Sequence, residues 1–192
     1  MKIQLINYLE TRDWILNLHY AKRMPNIQYA YALYEDDDEM IGIITYGQPA
    51  SPQLCRGICG EGNKSNVIEL NRLVLKYNRK NEASYLIANS LKLLPKPKIV
   101  VSYADSKQDH LGIVYQASNF LFTGTTIART DMAGKDGKHS RHHLGDTTNR
   151  INRSSKHRYV MFIGSKTQKK QFLKCLNYKI QEYPKNNIKS DI

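Results

Sequence analysis

Residues 101–120 read V-S-Y-A-D-S-K-Q-D-H-L-G-I-V-Y-Q-A-S-N-F. An apolar run over 98–104 stops at the carboxylate of Asp105, a polar turn follows, and H-L-G-I-V-Y-Q-A from His110 reads as the first turns of a helix. A short apolar run bounded by turn residues predicts a strand, so the stretch is strand, turn, helix. Asp105, His110 and Tyr115 crowd the carboxyl end of that strand and the start of the helix, where open α/β sheets place their ligands. A helix-capping role for Asp105 and a packing role for Tyr115 explain the same residues without any chemistry.

Working outward, residues 11–23 predict a helix with apolar positions at Trp14, Ile15 and Leu18, broken before Pro25. Residues 28–34 and 40–47 predict the two strands of a hairpin around an acidic turn, 35–39. A Pro/Gly-rich loop is expected over 48–66, then a strand at 69–75 and a strongly periodic helix at 82–94. A short strand is expected near 120–123, another at 158–163, and a basic helix at 166–175. The order predicts one domain of mixed α/β (α+β) class, a sheet with helices on its faces. It carries a basic insertion loop at about 128–157 and a tail frayed from about 186.

The 192 residues suffice for one hydrophobic core, and no apolar run approaches bilayer length. The polar start is no signal peptide, and three cysteines without one predict reduced thiols in a cytoplasm. The net charge of +12 is lopsided: residues 1–126 carry 14 Lys and Arg against 12 Asp and Glu, residues 127–192 carry 15 against 5. That asymmetry points to a polyanion, with nucleic acid the leading partner and a membrane surface disfavoured. Lys138, Arg141, Arg150, Arg153, Lys156 and Arg158, set among Ser, Asn and His, have the chemistry of phosphate contact.

Other constellations are weaker. The segment 76–84, with Arg79, Asn81 and Ser84 before the periodic helix, is either a phosphate cradle at a helix start or a plain capped loop. Cys55 and Cys59 lack a second ligand pair at zinc spacing and read as structural. His19-Tyr20 on the first helix is either a half-buried packing pair or part of an N/O ligand set with Asp105.

Ser102-Tyr-Ala-Asp105, followed by Gln108-Asp-His-Leu-Gly-Ile-Val-Tyr-Gln-Ala117 and Phe120-Leu-Phe-Thr-Gly124, resembles the signature of the phage Mom proteins. Glu69-Leu-Asn-Arg-Leu73, Lys156-His-Arg-Tyr-Val160 and Tyr183-Pro-Lys185 add to the resemblance, which spans roughly residues 14–185. The resemblance implies a GNAT (acetyltransferase) fold with a mostly antiparallel central sheet. It implies acetyl-CoA as co-substrate, bound along Leu73 and Leu75 and the loop after them, with Arg72, Arg79 and Ser84 on the CoA side. The usual glycine-rich loop is replaced here by residues 79–84.

It also implies a reaction on double-stranded DNA that converts the N6 amine of adenine to a methylcarbamoyl group and shields phage DNA from host restriction. That product places a nitrogen between carbonyl and methyl, so it is not simple acetyl transfer. Asp105, Tyr115, His19 and Tyr20 become the expected catalytic residues, and His19, Asp105 and Tyr115 the expected iron ligands, with Tyr20 and Tyr46 of second rank. The host cytoplasm is the expected location, and a homodimer is compatible with the chain. An ordinary GNAT enzyme acting on a protein or small amine, and a DNA-binding protein without catalysis, stand as alternatives.

Overall fold

The computed structural model describes residues 1–132 and 150–185. Nine strands are present among them: β1 (Lys2–Leu5), β2 (Tyr29–Tyr34), β3 (Met40–Gly47), β4 (Val67–Leu75), β5 (Lys98–Asp105), β6 (Leu121–Thr125), β7 (Arg129–Met132), β8 (Arg150–Arg153) and β9 (Lys156–Ile163). Four α-helices accompany them: α1 (Pro52–Cys59), α2 (Glu82–Leu93), α3 (Ile113–Ala117) and α4 (Lys166–Lys174). Seven strands form one sheet in the order β1-β2-β3-β4-β5-β9-β6, and β7 and β8 pair only with each other. All neighbours in the large sheet are antiparallel except β4 and β5.

Alternation along the strands feeds apolar clusters on both faces of the sheet. Val100 faces α2 with Leu86, Ile87, Tyr46 and Tyr159, while its neighbours Ile99 and Val101 face Ile58, Phe162 and Phe172 on the side of α1 and α4. Strand β3 is buried from Ile41 to Gly47 because it runs mid-sheet with both faces covered. Glycine is required at its end: a Cβ on Gly47 would lie 1.8 Å from the Asn26 carbonyl oxygen.

The parallel pair positions the site. β4 and β5 are in register only from Val67–Ile99 to Glu69–Val101. Beyond that point β5 stays on β9 through Asp105, and β4 stays on β3 through Leu75. A bulge marks the parting, since Thr45 opposes Arg72 while Tyr46 opposes Leu70, leaving Asn71 extra. Asn71 fixes the bulge by accepting from the Thr45 hydroxyl at 2.6 Å and donating to the Asn26 carbonyl at 2.8 Å. The sheet therefore forks in its middle.

Three expectations are corrected. Segment 48–66 is not a loop: Ser51 caps α1 by accepting from the Leu54 amide, Pro52 begins the helix, and a 3-10 stretch Glu61–Asn66 follows. Cys55 and Cys59, four residues apart, lie on its buried face, and all three cysteines are free thiols. The first helix is a 3-10 turn, Tyr8–Thr11, and a π-helical turn, Trp14–Leu18, that ends at His19. The ends of the supposed insertion loop pair as the β7–β8 ribbon. The middle of that loop and the tail from 186 lie outside the described residues.

Candidate active site

The fork opens into a cleft of about 640 Å³. One wall is β4 from Glu69 to Leu75, with Asn78 and Ala83 beyond it. The other is Tyr103 and Ala104 of β5 with the segment from Gln108 to Tyr115. Leu18, His19 and Tyr20 close one side, and Lys156 reaches in from β9.

The π-helical turn delivers His19 and Tyr20 here, because the His19 amide bonds the Trp14 carbonyl at 3.1 Å and the chain then leaves the helix. Their rings stack with centroids 4.4 Å apart, and Tyr20 meets His110 edge-on at 5.7 Å. Burial, with the Arg72 and His110 charges beside it, lowers the His19 pKa to about 4, so this imidazole is neutral near pH 7. Its Nδ1 accepts from the Ala21 amide at 3.0 Å, which puts its single proton on Nε2. Tyr20 remains 47% exposed at the mouth.

Tyr115 stands on α3 with its ring against Phe120 and Tyr159. Burial pushes its phenol up to about 12 despite the nearby Ser102 hydroxyl. Gly112, at φ 75° before α3, has no room for a side chain, as its Cβ would lie 2.4 Å from the Tyr159 ring. The Tyr159 hydroxyl donates to the Leu111 carbonyl, so the ring is the floor on which the 110–116 segment rests.

Asp105 ends β5 one residue beyond Ala104 and does not itself line the cleft. Its Oδ1 accepts from the Lys107 amide at 3.0 Å and from the Ser154 hydroxyl, and its Oδ2 lies 3.7 Å from the Lys156 ammonium. Burial would raise this carboxyl, but the Ser154, Lys107 and Lys156 groups outweigh it and leave it below its ordinary value. It is thus both a cap, for the 3-10 turn Ser106–Gln108, and a tie to the base of β8.

Sequence reading passed over Glu69. It occupies the fork itself, the last residue of β4 in register with β5. Burial drives its carboxyl up to about 7 in spite of the Arg72 and Lys156 charges. The signal was there: a lone carboxylate inside an apolar strand, in a motif read only as part of a resemblance. Tyr103, raised chiefly by burial, lines the same floor.

On the expected CoA side, Leu73 and Leu75 line the cleft and Arg72 is braced by two carbonyls, Asn71 at 2.6 Å and Arg23 at 2.8 Å. Arg79 turns away: its guanidinium is held by Glu35 and Glu82 and lies 4.9 Å over the Tyr77 ring. The Ser84 hydroxyl donates to the Asn81 carbonyl of its own helix at 3.1 Å. Tyr46, of second rank in sequence, is fully buried and bonded to Ser90 at 2.7 Å. Of the expected DNA contacts, Arg150 and Arg153 are on the β7–β8 ribbon, and Lys156 is in the cleft. Arg158 bonds the Thr123 carbonyl at 2.8 Å and stacks at 3.3 Å on Tyr178. Lys138 and Arg141 lie outside the described residues.

Of the expected iron ligands, His19 and Tyr115 line the cleft, while the Asp105 oxygens face the Lys107 amide, the Ser154 hydroxyl and the Lys156 ammonium. Arg72 and Lys156 add two positive charges to the same cleft.

A sheet forked between its parallel strands, with a cleft at the fork, is the acetyltransferase (GNAT) fold. Arabidopsis thaliana NAA60 in complex with acetyl-CoA superposes with a TM-score of 0.52 at 15% identity, over 84% of this chain and 98% of that one. A variant of the spermidine N-acetyltransferase SpeG from Vibrio cholerae gives 0.50 at 10% identity, over 84% and 95%. The model of the Mom protein family matches residues 1–185. The methylcarbamoylase mom of Escherichia phage Mu is 25% identical, over 96% of this chain and 84% of that protein. The chain belongs to the Mom protein family.

Proposed function

We propose that this protein is a DNA-modifying transferase that acts on the N6 amine of adenine, with acetyl-CoA as co-substrate and N6-(methylcarbamoyl)adenine as product. The observation that carries this is the forked cleft, with a carboxylate of raised pKa at its apex, in a chain of the Mom family whose last third is strongly basic. In this reading the product shields phage DNA from restriction in the host cytoplasm.

The N6 amine is a weak nucleophile because its lone pair is delocalised into the ring, so its proton must leave as it attacks. Glu69, with a pKa near the working pH, is suited to take that proton. Tyr115, neutral until about pH 12, is suited to donate to oxygen or sulfur as the thioester carbonyl reacts and CoA leaves. Attack on the thioester with CoA leaving as the thiol gives only the N6-acetyl group. Placing a nitrogen between carbonyl and methyl takes, in addition, an ammonia-level nitrogen donor and a two-electron oxidant, so the roles of Glu69 and Tyr115 belong to the acyl-transfer step. His19 and Tyr20 give an aromatic shelf at the mouth for a base turned out of its stack. Asp105 acts through position: it holds Ser154 and Lys156 at the rim. The pantetheine arm runs along Leu73 and Leu75.

The test is a reaction of purified protein with adenine-containing duplex and acetyl-CoA, read by mass spectrometry of nucleosides. A modified deoxyadenosine that requires acetyl-CoA supports the reading, and its mass distinguishes methylcarbamoyl from acetyl. Acetylation of an added amine or protein, with adenine untouched, moves the protein to ordinary N-acetyltransferases.

A further inference from the structure

The β7–β8 ribbon has no counterpart in the proposed chemistry. It is a two-stranded antiparallel sheet that, among the described residues, is hydrogen-bonded to no other strand, with Arg129 opposite Arg153, Thr130 opposite Asn152, Asp131 opposite Ile151 and Met132 opposite Arg150. Directly opposed residues share a face. One face thus carries Arg129, Arg153, Asp131 and Ile151, and there Arg153 pairs with Asp131 at 3.5 Å and both are partly covered. The other face carries Thr130, Asn152 and Arg150, all exposed, with Arg150 Nη1 3.5 Å from the Thr130 hydroxyl.

The ribbon's root is fixed to the rim of the cleft. Ser154, the residue after β8, donates to Asp105, and the Ser155 carbonyl accepts from the Ser106 amide at 3.2 Å and the Ser106 hydroxyl at 2.8 Å. Across the root, Thr126 and Lys156 exchange bonds of 2.8 and 2.9 Å.

We propose that this ribbon is a reading arm that lies in the major groove of duplex DNA, with Thr130, Arg150 and Asn152 towards the base edges. The inference rests on the DNA reading above and adds the groove and the residues that read it. The major groove, about 12 Å wide, admits a two-stranded ribbon, and its edges present the acceptors and donors that Arg, Asn and Thr recognise. The N6 amine of adenine points into that same groove, so an arm rooted at the rim approaches the target from the side on which the amine lies. Charge agrees, with Arg129, Arg150 and Arg153 on four-residue strands in the basic third of the chain. Thr130, Arg150 and Asn152 set which flanking bases are accepted, and the exposed Arg129 meets phosphates.

The experiment measures binding of the full-length protein to labelled duplexes over a salt series, and the sequence context of adenines modified in a random duplex pool. Replacing guanine by 7-deazaguanine, which removes the N7 acceptor from the major groove, is expected to weaken wild-type binding about ten-fold. Arg150→Ala is expected to show the same loss on ordinary duplex and no further loss on the 7-deaza duplex. Arg150→Ala and Asn152→Ala flatten the context preference, whereas Arg129→Gln lowers the salt slope by about 0.9. Wild-type binding indifferent to 7-deazaguanine overturns the groove assignment, whatever the variants do. Context preserved in folded Arg150→Ala and Asn152→Ala overturns the reading role. If wild type binds duplex through the arm but modifies no adenine, the proposed function fails and the arm stands.

Discussion

At the scale of single residues, the fork places a carboxylate where burial is costly for its charge. The folded-state pKa of Glu69, about 7, lies above its ordinary 4.5, so the folded chain holds the proton more tightly than the unfolded one. The stability associated with that proton is present below pH 4.5 and lost as pH rises through about 7. Glu69→Gln is therefore expected to flatten the fall of Tm over that window. If Glu69 takes the N6 proton, the rate of adenine modification rises with pH through about 7 in wild type, and the variant loses both rate and that limb. His19 has the opposite sign: its value near 4 lies below 6.5, so its contribution falls as pH drops through that interval. Gly112 supplies a second test. Alanine there meets both a φ of 75° and the Tyr159 ring, and is expected to cost roughly 2 kcal/mol or more, a Tm loss of about 4–8 °C in a thermal melt.

Elements explain why those residues meet. Strands β4 and β5 are held together for three residues and then follow different partners, and the Asn71 bulge sets where they part. Asn71→Ala removes the bonds to Thr45 and Asn26. It is expected to weaken binding of the proposed acetyl-CoA by roughly ten-fold in calorimetry while the far-ultraviolet spectrum is kept, because one part-buried and one exposed hydrogen bond that shape the fork are lost, together about 1.4 kcal/mol. The strands and α2 were legible because period-2 and period-3.6 patterns are local properties of the chain. The fork was not, since a bulge follows from which strands pair and leaves no mark in hydrophobic periodicity. Helix α1 was hidden by Pro and Gly: Pro52 at a first turn favours a helix, yet the stretch reads as a loop by composition. Of the candidate site, Asp105 and Tyr115 were named chiefly through the family resemblance, since spacing alone leaves them as a cap and a packing residue, while Glu69 waited on the fold, because only pairing shows a strand carboxylate to be at the apex of a cleft.

Across the whole molecule, a balanced sheet-forming part and a basic last third meet at β9, whose Lys156 reaches the cleft and whose root carries the ribbon. No helix among the described residues is long and apolar enough to cross a membrane. Lys156 thus brings the basic third of the chain to the cleft in the middle of the sheet, the arrangement that the proposed polyanion substrate calls for. The ordered contacts there make a coupled prediction: Asp105→Ala, which releases Ser154 and Lys156, is expected to lower adenine modification more than ten-fold and duplex binding by a smaller factor, both measured on the same purified protein. Modification of adenine at the fork is tested most directly by nucleoside mass spectrometry of plasmid DNA from cells making this protein. Wild type is predicted to yield a modified deoxyadenosine that Glu69→Gln, folded and expressed to the same level, leaves nearly absent. Equal yields from the two proteins, or unmodified adenine with wild type folded and abundant, would contradict it.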